Sequence, residues 1–206
     1  MYLSRVKINR SIRTSMKFLG SLQVIHATIA GCFPPEDISR KLWRLDYLHG
    51  EPYLLVLSQN KPNFTKLVEQ FGYLGDTGET RDCQNLFAAL KMGHHYRFRF
   101  CGNPVHSKKT AGSKGRGTIV PHVTAAQQEE WFCRKSEQAG FSIDSMTIVQ
   151  RDIRKFSRQG KTVTLHTATF EGILQITDVE KFRQSICTGI GRAKAYGCGL
   201  LTLARL

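Results

Sequence analysis

Two hydrophobic periods alternate along this chain in a fixed order, and the second half repeats the order of the first. The chain is therefore built from mixed strand and helix units. Residues 2–9 (YLSRVKIN) alternate with the period of a strand, and residues 16–31 then set Phe18, Leu22, Ile25 and Ile29 at helical spacing. The runs KLWRLDY (41–47) and PYLLVLS (52–58) flank a turn-like HGE and read as strands. A short amphipathic run FTKLVEQF (64–71) and an apolar NLFAAL (85–90) complete a β-α-β-β-α-β order.

The second half opens with the strand HYRFRFCGNPV (95–105), followed by a basic, glycine-containing loop to Thr118 and a helix over 124–139 that Thr124 can cap. After Gly140 come a strand at 141–150, a basic connection, the β-rich run VTLHTATFEGILQI (163–176), a helix at 178–187 and a last strand near 198–204. The fold class is thus α+β, as two tandem ferredoxin-like (βαββαβ) domains. Their expected extents are residues 1–92 and 93–206, with KMGH at Lys91 to His94 interrupting the apolar pattern between them. A fold of this kind hosts unrelated functions, so particular residues must carry the functional argument.

Lysine and arginine number 30 against 16 acidic residues, a formal net charge of +14 that points to a polyanionic partner. Anionic membrane surfaces would attract such a chain too. No stretch approaches the roughly 18 consecutive apolar residues of a membrane span, and MYLSRVKINR lacks the apolar centre of a signal peptide. A cytoplasmic location without membrane contact is expected. The six cysteines, Cys32, Cys83, Cys101, Cys133, Cys187 and Cys198, form no CxxC pair and no zinc-type spacing with histidine. Reduced thiols are expected, with no metal site and no small-molecule cofactor. His94, His95, Cys101 and His106 are the densest metal-like group, but they lie along an alternating basic and aromatic strand.

The tail GIGRAKAYGCGLLTLARL carries Gly189, Gly191, Gly197 and Gly199, with Arg192 and Lys194 between them. Such a loop can lay amide donors and two cations along a phosphate chain, or permit close contact between domains. It is no dinucleotide fingerprint, because the chain ends before a β-α-β unit could follow, and no GxxxxGK[ST] loop occurs.

GIGRAKAYGCGLL closely resembles the glycine-rich motif of the repeat-associated RNA-binding CRISPR proteins. Together with the opening MYLSRV, the internal FRFCGNP and FEGIL at 170–174, it is similar to the CasE (Cse3) branch, in the same order from Met1 to Leu206. The resemblance implies two ferredoxin-like domains, a metal-independent endoribonuclease acting on CRISPR repeat RNA hairpins, and membership of a Cascade complex with its other subunits.

In that family a histidine on the first helix is catalytic, within a segment like VIHATIAGCFP, which places the role on His26. From the residues alone, a lone helical histidine beside Leu22, Ile25 and Ile29 is more commonly structural. Imidazole suits the task, since its unperturbed pKa of about 6.5 lets it take or give a proton near neutrality. Several relatives carry a tyrosine one helical turn earlier on the same face, where this chain has Gln23. An amide can hold a ribose or phosphate but cannot exchange a proton as a phenol can.

Two basic segments are candidate RNA surfaces. HSKKTAGSKGRGT offers Lys108, Lys109, Lys114 and Arg116, and QRDIRKFSRQGK places Arg151, Arg154, Lys155, Arg158 and Lys161 around the turn of a hairpin. The second resembles the basic hairpin with which relatives grip the RNA stem. Phe156 either stacks on a base or anchors that hairpin, and Trp131 is read as a core or domain-interface residue. Gly189, Gly191, Arg192 and Lys194 complete the expected RNA-binding set. Without a metal, the nucleophile would be the ribose 2′-hydroxyl, with His26 as general base or acid. Arg158 and Lys161, and more weakly Gln23, would stabilise charge on the phosphate, leaving a 2′,3′-cyclic phosphate and a 5′-hydroxyl. A non-catalytic RNA-binding subunit of the same fold would keep the basic surfaces without needing His26.

Overall fold

The computed structural model describes residues 1–108, 117–158 and 160–206, with the side chains of 157, 158 and 161 outside that description. In chain order, the first half places β1 (Tyr2–Lys7), α1 (Arg13–Leu19), α2 (Leu22–Ala30), β2 (Leu42–Leu48), β3 (Glu51–Ser58), α3 (Thr65–Phe71), β4 (Glu79–Asp82) and α4 (Gln84–Ala89). The second half follows with β5 (His95–Gly102), β6 (Val105–Lys108), β7 (Thr118–Pro121), α5 (Ala125–Gln138), β8 (Phe141–Arg158), β9 (Lys161–Ile176) and α6 (Val179–Thr188). A 3-10 turn at Lys194–Tyr196 then leads to β10 (Leu201–Ala204).

The strands form two antiparallel four-stranded sheets, ordered β2-β3-β1-β4 and β10-β5-β9-β8. Each is the ferredoxin-like order, with the first and third strands of the unit at the centre. β6 and β7 pair separately as a two-stranded ribbon inserted after β5. Strand alternation is cleanest in β5, where Tyr96, Phe98 and Phe100 enter the core while Arg97 and Arg99 face the other side. α5 begins with a capping box: Gln127 N–H donates to Thr124 Oγ1 at 3.2 Å, and Thr124 N–H to Gln127 Oε1 at 3.3 Å.

Two expectations need correction. The helical run at 16–31 is two helices, because the chain breaks at Gly20 and restarts with Ser21 capping α2 through its hydroxyl. NLFAAL, the expected last strand of the first unit, is the helix α4; the strand at that sheet edge is the polar ETRD of β4. Edge position explains the miss, since β4 leaves no side chain buried and so shows no apolar alternation.

Two apolar clusters make the core. Around Phe100, Phe132 and Phe170, rings stack at 4.6 and 4.7 Å, and Leu42, Leu57, Cys83 and Leu90 of the first half pack into the same cluster. Trp131 is buried here, as the sequence suggested. The other cluster lies under α1, α2 and α3, and Leu165 of β9 joins it. That reach across the molecule follows from the long β8–β9 hairpin, whose register shifts near Asp144 and Val149 bend the strand pair. Its distal half, with Phe156, Val163 and Leu165, then lies against the first sheet's helices.

Arg44 joins the two sheets. Its guanidinium makes two 2.7 Å hydrogen bonds to Asp46 and donates to the carbonyls of Arg99 (2.9 Å) and Leu200 (3.1 Å) and to Thr202 Oγ1 (2.8 Å). Arg99 reaches the same carboxylate at 3.2 Å. Both members of the pair are buried, and the bidentate fork satisfies them. No helix among the described residues is long and apolar enough to cross a membrane.

Candidate RNA-cleavage site

α2 turns Leu22, Ile25 and Ile29 inward, and the 3.6-residue period therefore turns Gln23 and His26 outward on one face. His26 is exposed at the surface, so it is not a member of the apolar core. Its ring stands 6.5 Å from that of Tyr196, which the 3-10 turn carries over from the glycine-rich tail. Tyr196 in turn contacts Phe156 of the basic hairpin at 4.5 Å between ring centroids. Three segments far apart in sequence thus meet at one place: α2, the hairpin and the tail.

The glycines of the tail explain how it lies so close. Gly189 and Gly197 have φ of 79° and 81°, and an added Cβ would come within 2.6 Å of Leu42 Cδ2 at the first and 3.0 Å of Trp43 Cζ3 at the second. Both neighbours belong to β2, so these positions serve contact between the two halves. Gly189 was expected to offer its amide to RNA; it is buried, and its N–H donates to Ser185 O at 2.8 Å. Gly191 lies half-buried over the Trp131 indole. Arg192 is exposed. Lys194 is half-buried, and burial together with the nearby charge of Arg40 pulls its ammonium below the usual lysine range.

Along the hairpin the basic residues divide by face. Lys155 is exposed, whereas Arg154 turns inward toward a narrow polar cleft shared with Arg44, Asp152 and Tyr196, and pairs with Asp152 at 3.4 Å. Arg151 donates to Val123 O beside the start of α5. Arg158 and Lys161 are register partners at the end of the strand pair, two residues or more beyond the Phe156 contact; their side chains lie outside the described residues. Lys108 is exposed at the end of β6, while Lys109, Lys114 and Arg116 lie outside the described residues. Phe156 acts as an anchor of the hairpin, packed on Tyr196 and the cluster under α1, α2 and α3.

Sequence reasoning missed Tyr196 and Arg40. The first was visible inside the glycine motif, but nothing in the local pattern said where its ring would go. The second lies in an irregular segment whose position depends on distant contacts. Among the described residues, all six cysteines are free thiols and no group of three or more His, Cys, Asp or Glu is placed to hold a metal ion.

Comparison with known proteins places this arrangement in a family. The Cse3 CRISPR-associated endoribonuclease of Thermus thermophilus is 28% identical over 222 aligned positions, covering 99% of this chain and all of that protein. The CasE subunit of the Escherichia coli K12 Cascade system is 37% identical over 123 positions, covering 57% of this chain and 61% of that one. Thermus thermophilus Cse3 bound to an RNA representing a pre-cleavage complex superposes with a TM-score of 0.81 at 26% identity, over 98% of each chain. The family described as CRISPR associated protein matches residues 1–205, and the chain belongs to that family, on its CasE (Cse3) branch.

Proposed function

We propose that this chain binds the hairpin of CRISPR repeat RNA and cuts the transcript beside it, with His26 transferring a proton, and that it stays with the product as a Cascade subunit. The observation that carries the reading is the exposed His26 at the meeting point of α2, the basic hairpin and the tail. The names and the RNA-bound state of the relatives support it.

The chemistry follows from those positions. A-form RNA shows its phosphates and shape more readily than its base edges, so an exposed basic strand pair suits a stem. With the stem held there, the strand adjoining it passes α2. The 2′-hydroxyl next to the scissile phosphate attacks in line as His26 takes its proton or, in the other assignment, protonates the leaving 5′-oxygen. Electron pairs shift from the 2′-oxygen to phosphorus and from phosphorus to the 5′-oxygen, giving a 2′,3′-cyclic phosphate and a 5′-hydroxyl. Arg158 and Lys161 are assigned the charge on the phosphate, and Gln23 a hydrogen bond to ribose or phosphate from the same helix face.

The test uses repeat RNA from the protein's own CRISPR array. Single-turnover cleavage should persist in excess EDTA, and His26→Ala should lose on the order of 100-fold to 10,000-fold in rate with hairpin affinity nearly unchanged. A 2′-deoxy sugar just upstream of the cut should abolish cleavage and leave binding intact. A folded His26→Ala protein that cuts at full rate would sink the assignment, and binding without any cleavage would indicate a non-catalytic subunit.

A further inference from the structure

Next to His26 lies a cavity of about 330 Å³, lined among others by Ile29, Ala30, Ile38, Arg40 and Ala195. Its walls differ in character. Ile29 and Ala30 come from α2, and Ile38, 96% exposed, is an apolar side chain that the fold leaves in solvent. Arg40 supplies charge.

Arg40 and its neighbour Lys41 are not equivalent. Lys41 Nζ sits 3.0 Å from Asp37 Oδ1 and 4.9 Å over the Phe33 ring, so its charge is already met. Asp37 also accepts Ser39 N–H at 2.9 Å and Asn60 Nδ2 at 3.1 Å. Hydrogen bonds from Ser39, Asn60 and Lys41 hold its carboxyl well below the usual range, so the segment from Asp37 to Lys41 is tied down at neutral pH. Arg40 is exposed on that fixed segment and makes no ion pair among the described residues.

Lys194 approaches Arg40 from the tail, adjacent to Ala195 in the cavity wall. The charge of Arg40 disfavours the Lys194 cation, and neither residue has an acidic partner among the described residues. Like charges brought together beside an apolar wall are stabilised by an anion between them. A cavity of this volume takes a ribose and base with its phosphate, since sites for small organic ligands begin at about 300 Å³.

We propose that this cavity is a subsite for one nucleotide flanking the scissile bond, its phosphate between Arg40 and Lys194 and its ribose and base against Ala30 and Ile38. The inference rests on the reading of His26 as the proton-transfer group. Holding the flanking nucleotide fixes the direction of the chain through the cut, and in-line alignment of the 2′-hydroxyl depends on that direction. Arg40 is the stronger determinant, because its planar fork can bind two phosphate oxygens at once.

The experiment combines protein and RNA changes. A methylphosphonate, which removes one phosphate's charge, is placed at each linkage flanking the cut in turn, with 2′-O-methyl on the adjoining ribose to keep the linkage intact. Arg40→Gln should lower single-turnover cleavage on the order of 10-fold to 100-fold. Affinity for a 2′-deoxy hairpin RNA should stay within about threefold, because the stem contacts are untouched, and Arg40→Lys should recover most of the rate. At one linkage the methylphosphonate should slow the unmodified protein and add nothing to the Arg40→Gln defect. Arg40→Gln that cuts like the unmodified protein, or a defect that adds to every methylphosphonate, overturns the subsite. His26→Ala run alongside separates the two ideas: an inactive His26→Ala beside an unaffected Arg40→Gln rejects the subsite alone, and a fully active His26→Ala rejects the proton-transfer reading and the subsite with it.

Discussion

His26 and Tyr196 come from opposite ends of the chain, yet their rings stand 6.5 Å apart with an interplanar angle of 57°. Tyr196 also touches Phe156 at 4.5 Å between ring centroids, so it bridges α2 and the basic hairpin. A ring that fills this space sets the distance between the histidine proposed to move a proton and the strands proposed to hold the RNA. Tyr196→Phe keeps the bridge and should leave single-turnover cleavage within about threefold, whereas Tyr196→Ala should cost on the order of 10-fold to 100-fold through misalignment. Equal rates for the two variants would mean that the ring does no positioning, and a loss already complete in Tyr196→Phe would move the role to the hydroxyl.

The hairpin's cations should differ in what they give to RNA binding. Lys155 is exposed, while Arg154 faces a cleft and pairs with Asp152. Each lost phosphate contact removes about 0.7 to 0.9 from the slope of log affinity against log salt. Lys155→Gln should show that change in a titration of the repeat hairpin from low to moderate salt. Arg154→Gln should flatten the slope less, since part of its charge is spent within the protein. The reverse ranking would show that the cleft opens to the RNA.

Much of the fold was legible because its signals are local. The alternation of Tyr96, Phe98 and Phe100, the α2 stripe of Leu22, Ile25 and Ile29, and the Thr124 capping box each lie within a few residues and need no distant partner. β4 was illegible because an edge strand of polar residues has no pattern to read, and its neighbour α4 offered a more apolar run. His26 needed a family resemblance, since periodicity alone cannot separate an exposed histidine with a task from one satisfied at the edge of a core. Arg40 and Tyr196 depend on the tail closing over α2 and β2, a long-range contact that no local period encodes. The basic hairpin was legible as charge, but strand alternation only says that Arg154 and Lys155 face opposite ways; which of them meets the cleft depends on how the long hairpin lies against the first half.

Arg44 gives a prediction about stability. Its guanidinium satisfies Asp46 and two carbonyls across the contact between the sheets, all away from solvent. Arg44→Ala leaves a buried carboxylate with only Arg99 to meet it, and should cost about 3 to 5 kcal/mol in urea unfolding. The double change Arg44→Met with Asp46→Leu should recover part of that loss, because no unpaired charge then remains. A double variant less stable than Arg44→Ala would show that the pair itself, rather than relief of a stranded charge, holds the sheets together.

The ribbon carries a pH dependence of its own. His122, at the end of β7, is 9% exposed; its Nε2 has no hydrogen-bond partner among the described residues, and its ring lies 4.6 Å from that of His106. Burial, then the positive charges of His106 and Arg134, lower its pKa from the ordinary histidine value, with Glu130 opposing them. The unfolded chain, in which the imidazole titrates near about 6.5, therefore takes up the proton first as pH falls. His122 costs nothing above that value, and stability is lost as pH drops from about 6.5 toward the lowered folded pKa. The thermal midpoint of the RNA-free protein should accordingly decline between pH 7.5 and 5.5, and His122→Gln, which cannot titrate, should decline less over the same window. Subtracting the two curves removes the contributions of the carboxylates, whose lowered values act only in more acidic solution. Parallel curves would mean that the ribbon opens enough for His122 to be protonated freely in the folded protein, and a steeper decline in His122→Gln would reverse the sign argued here.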